Sequence, residues 1–243
     1  MLTVVPSRPP SKVDRPVAAA AMLVAPLVVI PLALAVGLAG WGGREAGVSP
    51  LVLGFGAVGL LALGNRSFHV DGLADVADAL TASYDRERSL EVMVDSTSGP
   101  AAIAMLIVTL GIQASAFASL FTIDRGPVVA AVLVCASRAV LSVTCATGVP
   151  PASEPGLAAD YAGIISRRWT ALSWLVTAGA LTGVLAWAGG TWWLGLVAAV
   201  VALGVVALVL HRAVQRFGGV TGDVFGATIE LTLAALLIIA TTI

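Results

Sequence analysis

Seven of the chain's 14 acidic residues lie between Asn65 and Ser98. On a helix, Asp71, Asp75 and Asp78 fall at i, i+4 and i+7, which places three carboxylates on one face within two turns. Like charges so placed repel unless they are solvated, protonated or neutralised by a cation. Hard oxygen donors in this number suit Mg²⁺, with Mn²⁺ as a substitute. Glu87, Glu91 and Asp95 repeat the pattern at i, i+4 and i+8 on what should be the next helix. Two carboxylate faces joined by a turn through Ser83, Tyr84 and Asp85 can close around one or two ions. The predicted ligands are Asp71, Asp75, Asp78, Glu91 and Asp95. The competing reading is a pair of solvated hairpin faces, the usual fate of a charge run.

Other polar residues stand out by their surroundings. His69 precedes Asp71 by two residues, as a candidate base or a satisfied polar contact. In RFGGVTGDVFGATIE, Asp223 either caps a final helix or joins the chemistry, and Glu230 is a lone carboxylate among Ile229, Leu231 and Leu233. A carboxylate in apolar surroundings needs a cation or a hydrogen-bond donor. Arg138, the one basic residue inside an apolar run, is its natural partner; a structural Arg138–Glu230 pair and a substrate role for either stand side by side.

The elements that must position these residues follow from composition. Of 243 residues 58% are hydrophobic and 11% charged, against about 25% charged in a soluble domain. The chain is therefore predicted to be an all-α, polytopic transmembrane bundle. Residues 17–40, 51–64, 100–123, 127–149, 170–190, 192–210 and 224–243 are the expected spans, about seven, with 51–64 short for a crossing. Alternating the loops puts Arg8, Lys12, Arg15, Arg66, Arg86, Arg88, Arg167, Arg168, Arg212 and Arg216 on one side, and only Arg44 and Arg125 on the other. That asymmetry predicts a cytoplasmic N-terminus and an acidic site at the cytoplasmic face. A carboxylate series packed on such a bundle favours function over a solvated face.

Residues 1–243 read as one domain, with 1–16 a polar tail and no repeat or linker. A formal net charge of −1 gives no reason to expect a nucleic-acid partner. Cys135 and Cys145 form no CxxC motif and read as packing residues.

Three motifs in order resemble the cobalamin synthase family, the adenosylcobinamide-GDP ribazoletransferases. The first is His69-x-Asp71-Gly72-Leu73-Ala74-Asp75-x-x-Asp78. The second comprises Arg86, Glu87, Arg88, Leu90, Glu91, Met93, Asp95 and Ser96; the third comprises Gly218, Gly219, Thr221, Gly222, Asp223, Gly226 and Ala227. Val94 stands where the family usually has lysine, and Ala79 where it usually has glycine.

The resemblance implies that a ribose hydroxyl of α-ribazole, or of its 5′-phosphate, attacks adenosylcobinamide-GDP and releases GMP with a divalent ion present. It implies catalytic roles for His69, Asp78 and Asp223, and substrate contacts from Arg86, Arg88, Ser96, Arg138, Thr221 and Glu230. Whether His69 or a free carboxylate is the base stays open. A multi-pass place in the cell inner membrane follows, with self-association or contact with other corrinoid enzymes as further expectations. The rival readings are a CDP-alcohol phosphotransferase-like lipid enzyme, which usually has an Ala-Arg step missing here, and a cation-coupled transporter.

Overall fold

Prolines divide the first apolar stretch. In the computed structural model, which describes residues 14–95, 97–153 and 156–243, the expected first span is three helices: α1 (Arg15–Leu23), α2 (Ala25–Val28) and α3 (Ile30–Glu45). Pro26 and Pro31 stand in the first turns of α2 and α3. A proline ring removes one N–H and crowds the carbonyl four residues earlier, so the helix restarts instead of continuing.

The short span behaves differently from the expectation. Helices α4 (Pro50–Gly64) and α5 (Phe68–Ala82) meet at 93°. Between them Arg66 and Ser67 both take positive φ, 58° and 61°, which no continuous right-handed helix accommodates. The 15 residues of α4 rise about 22 Å at 1.5 Å each, short of the roughly 30 Å hydrocarbon core. Residues 51–64 are thus half of a broken span or re-entrant loop, not a crossing by themselves.

Helix α6 (Arg86–Met93) opens on an N-cap, the Asp85 side chain accepting from the Arg88 amide at 2.9 Å. Then come α7 (Pro100–Leu120), and α8 (Gly126–Ser137) continued through a 3₁₀ turn at Arg138–Val140 into α9 (Leu141–Thr144). Short α10 (Leu157–Tyr161) precedes α11 (Arg167–Trp187), α12 (Trp192–Phe217) and α13 (Gly222–Ala240). Five segments, 100–120, 126–144, 167–187, 192–217 and 222–240, are long and apolar enough to cross a membrane, or six if the bent pair counts as one. The all-helical, multi-pass architecture holds; the proline-divided stretch α1–α3 is outside that count of unbroken apolar helices. Among the described residues there is no strand, only isolated bridges at Ala146–Ile165 and Pro151–Val220.

Burial orders the bundle. In α13 and in 126–144, 72% of the apolar window is buried, against 22% in α11. The former two form the centre; α11 faces outward with Leu175 and Val176 exposed. Such side chains are at home against lipid, and exposed Trp41, Trp187, Trp192 and Trp193 mark the bundle end near Arg44 and Arg125.

Candidate active site

The turn between α12 and α13 is built by its sequence. Gly218 ends α12 with φ +78°, the left-handed closure that glycine adopts without strain. At Gly219 a Cβ would lie 2.4 Å from the Pro150 carbonyl oxygen. Its absence lets Val220 N–H donate to Pro150 O and Ala152 N–H to Val220 O, both at 2.9 Å. Thr221 then caps α13, its hydroxyl accepting from Val224 N–H at 3.3 Å and donating to Asp223 Oδ2 at 3.3 Å. Asp223 sits in the first turn of α13, where the helix dipole favours a carboxylate.

Helix α5 runs against this start. A Cβ on Gly72 would lie 2.7 Å from Asp223 Cα, and one on Gly226 would lie 2.9 Å from His69 Cα. One small residue from each helix therefore brings the backbones together. The crossing sets Asp75 within electrostatic reach of Asp71, Asp223 and Asp78. Among the described residues none of Asp71, Asp75 and Asp223 forms an ion pair.

A cavity of about 550 Å³ opens beside the crossing. His69, Asp71, Ser153, Thr221 and Asp223 supply its polar side chains; Met22, Phe68, Met93, Leu141, Phe225 and Ile229 give it an apolar wall. The donors fit a hard divalent cation in kind: close carboxylates without a cationic partner on two crossing helices. They are not closed into a cage, since among the described residues no three His, Cys, Asp or Glu side chains group closely enough to hold an ion.

The expected ligand set divides. Asp71 lines the cavity, and Asp75, one turn further along α5, is half-buried outside its lining. Asp78 does not face the cavity; its carboxylate accepts the backbone N–H groups of Gly99 and Ala102 and caps α7. Glu91 is exposed and bound to Arg88 at 2.9 Å. Asp95 is exposed too, and the Thr97 hydroxyl and amide, at 2.9 and 3.0 Å, hold its carboxyl below the usual carboxylate range. The second acidic series is therefore a solvated face, and the carboxylate that α13 brings toward Asp71 and Asp75 is Asp223.

The expected substrate contacts divide as well. Thr221 is at the cavity. Arg86 is occupied elsewhere, its Nε donating to Phe217 O at 2.8 Å and its Nη2 to Ala152 O at 2.7 Å. Arg88 lies on the outer face of α6 with Glu91. Arg138 is fully buried, with Nη1 donating to Val134 O and Ser137 Oγ. Among the described residues it makes no ion pair with Glu230, which instead stands beside the His69 ring, Oε1 3.5 Å from Nδ1. Glu230 itself stays out of the cavity wall, behind His69. Ser96 lies outside the described residues.

Met22, Leu141 and Ser153 at the cavity carried no signal in the sequence, because nothing local marks a residue that meets its neighbours only through the fold. The paired glycines Gly72 and Gly226 were the available hint of a close helix crossing.

Carboxylates of two crossing helices beside a mostly apolar cavity, at one end of a multi-pass bundle, are the arrangement of an integral-membrane enzyme. The chain belongs to the cobalamin-5-phosphate synthase family, whose model matches residues 1–241. A Nocardioides protein named adenosylcobinamide-GDP ribazoletransferase is 45% identical over 237 residues, covering 98% of this chain and 93% of its own. Proteins of the same name from Frankia casuarinae and Corynebacterium efficiens are 39% and 34% identical, over 100% and 96% of this chain and 92% and 85% of theirs. No solved structure matches the chain. A family match of this extent displaces the lipid-enzyme and transporter readings.

Proposed function

We propose that this cavity joins α-ribazole, or its 5′-phosphate, to adenosylcobinamide-GDP. A ribose hydroxyl attacks the corrinoid-side phosphorus. The new O–P bond forms as the bridging P–O bond breaks, GMP leaves with the bridging oxygen, and the hydroxyl proton passes to a base. The products are adenosylcobalamin, or its 5′-phosphate, and GMP. The observation that carries this reading is the coincidence of family membership across residues 1–241 with the cavity lined by Asp71 and Asp223.

The residues suit their tasks. A volume of about 550 Å³ is that of a small-molecule site. It accepts the nucleoside, its apolar wall meets the aromatic base, and the far larger corrin stays at the mouth. Asp71, Asp75 and Asp223 would hold Mg²⁺, or Mn²⁺ in its place. Bound there, the ion neutralises charge on the diphosphate and makes the hydroxyl more acidic. Thr221 offers a hydroxyl beside Asp223, and His69 and Asp223 are the two acceptors at hand for the proton.

The cavity end faces the cytoplasm of the inner membrane. Arg86 and Arg88 on α6, Arg167 and Arg168 at the start of α11, and Arg212 and Arg216 near the end of α12 support that orientation. The N-terminus, expected on the same side, lies outside the described residues, which begin at Asp14.

Incubating the purified chain in lipid bilayers with adenosylcobinamide-GDP, α-ribazole and Mg²⁺ tests the function. GMP should appear in step with the joined corrinoid. A folded protein that yields neither product has a different substrate.

A further inference from the structure

Behind the cavity lies a polar group of which the reaction above uses only His69. Asn65, His69, Gln113 and Glu230 are 1%, 5%, 1% and 2% exposed, and they converge from the α4–α5 break, α5, α7 and α13. Glu230 Oε1 stands 3.5 Å from His69 Nδ1. Its other oxygen accepts from Gln113 Nε2 at 2.8 Å, and the same amide also reaches the Glu230 carbonyl at 3.1 Å. A carboxylate sealed inside a membrane bundle is costly unless its oxygens are matched. Here both oxygens are used, one of them on the only side chain of the group that also lines the cavity.

We infer that Glu230 is a positioning residue for His69: it fixes the ring's orientation and tautomer so that the opposite nitrogen is presented to the ribose hydroxyl. A carboxylate is the strongest acceptor near Nδ1, so the ring proton sits on Nδ1 and points at Glu230. Asn65 Nδ2 stands 3.1 Å from the same nitrogen; with the amide turned over, its otherwise unpartnered Oδ1 would accept that proton instead. Nε2 then carries the lone pair, and among the described residues it has no hydrogen-bond partner in the protein. Gly226, against the His69 backbone, and Gln113, against Glu230, hold the two ends of the contact. This role rests on the ribazoletransferase reading and adds a residue that the cavity wall does not contain.

The test is a double-mutant cycle on GMP release, with Glu230→Gln, His69→Gln and the pair, each in lipid bilayers and each checked for folding by its melting temperature. Glu230→Gln should lower kcat about 10²-fold with little change in KM, the size of a misdirected base. Glu230→Asp, which keeps the charge, should recover part of that loss. In the His69→Gln background the further loss from Glu230→Gln should be under about 3-fold, since a positioning residue has nothing left to position. Losses that multiply would overturn the proposal and make Glu230 a packing residue. Should Glu230→Gln fail to fold, Gln113→Leu replaces it. That variant frees one oxygen of Glu230, and its kcat loss should also vanish when His69 is Gln; a loss that persists overturns the proposal equally. A wild-type chain that releases no GMP refutes the transferase reading, whereas an active wild type with multiplying losses refutes only the role of Glu230.

Discussion

Asp78 Oδ1 accepts the backbone N–H of Ala102 at 2.9 Å, so the third carboxylate of the first acidic series fastens the start of the next long helix. Its other oxygen takes the Gly99 amide. The first amides of a helix have no partner within the helix, and Asp78 supplies one from 24 residues away. Asp78→Ala should therefore cost about 1–2 kcal/mol of stability, read as a lower melting temperature in detergent, while Asp78→Asn costs less. The surviving folded fraction should keep its Mg²⁺ requirement. An unchanged melting temperature with an altered metal requirement would return Asp78 to the metal site.

That division shows what the sequence could convey. Spacing at i, i+4 and i+7 established that Asp71, Asp75 and Asp78 share a helix face, and α5 bears this out over Phe68–Ala82. Spacing says nothing of what the face meets, and a carboxylate pointing at amides 21 and 24 residues on has no local signature. The Glu91 and Asp95 pattern was equally regular, yet α6 turns Glu91 outward and ends at Met93, leaving Asp95 exposed beyond it. The turn chemistry was legible in part: the glycines marked the entry to the last helix, but its N-cap is Thr221 and not Asp223, which stands in the first turn. The 93° break at Arg66 and Ser67 was not, since neither residue type ordinarily marks a left-handed pair.

Arg86 and Arg88 look alike in the sequence and differ in the structure. Arg86 bridges the last residue of α12 to the Pro151–Val220 loop pair through two backbone carbonyls. Removing a charged donor from such contacts costs about 1.5 kcal/mol or more, so Arg86→Ala should lower the melting temperature, and Arg86→Lys should restore it only in part. Arg88 and Glu91 are each 65% exposed, and an exposed pair contributes about 1 kcal/mol at most. Arg88→Ala should leave melting nearly unchanged, and a rise in KM for the GDP-linked corrinoid there would mark a substrate contact. Equal destabilisation by the two alanine variants would contradict the distinction.

Val94 is 85% exposed at the cavity edge, the place where the family resemblance puts a lysine. An ammonium there meets the diphosphate as it approaches the mouth. Val94→Lys should lower KM for adenosylcobinamide-GDP about 3- to 10-fold at low salt, and the gain should shrink as salt rises. A KM indifferent to the new charge would place the diphosphate away from α6.

The central claim is that Asp71, Asp75 and Asp223 together form the metal-dependent transfer site. Asp75→Asn tests it most directly, because the amide keeps the shape, removes one charge and leaves the Gly72–Asp223 crossing untouched. Asp85→Asn is the control: Asp85 is exposed and caps α6, and asparagine caps a helix as well as aspartate does. GMP release by wild type and both variants is measured in bilayers across a Mg²⁺ titration, with melting temperature as the check on folding. The account predicts that Asp75→Asn stays folded and loses GMP release about 10²-fold or more, with an increased Mg²⁺ requirement for what remains, while Asp85→Asn behaves as wild type. Normal turnover and an unchanged Mg²⁺ midpoint in Asp75→Asn would contradict it.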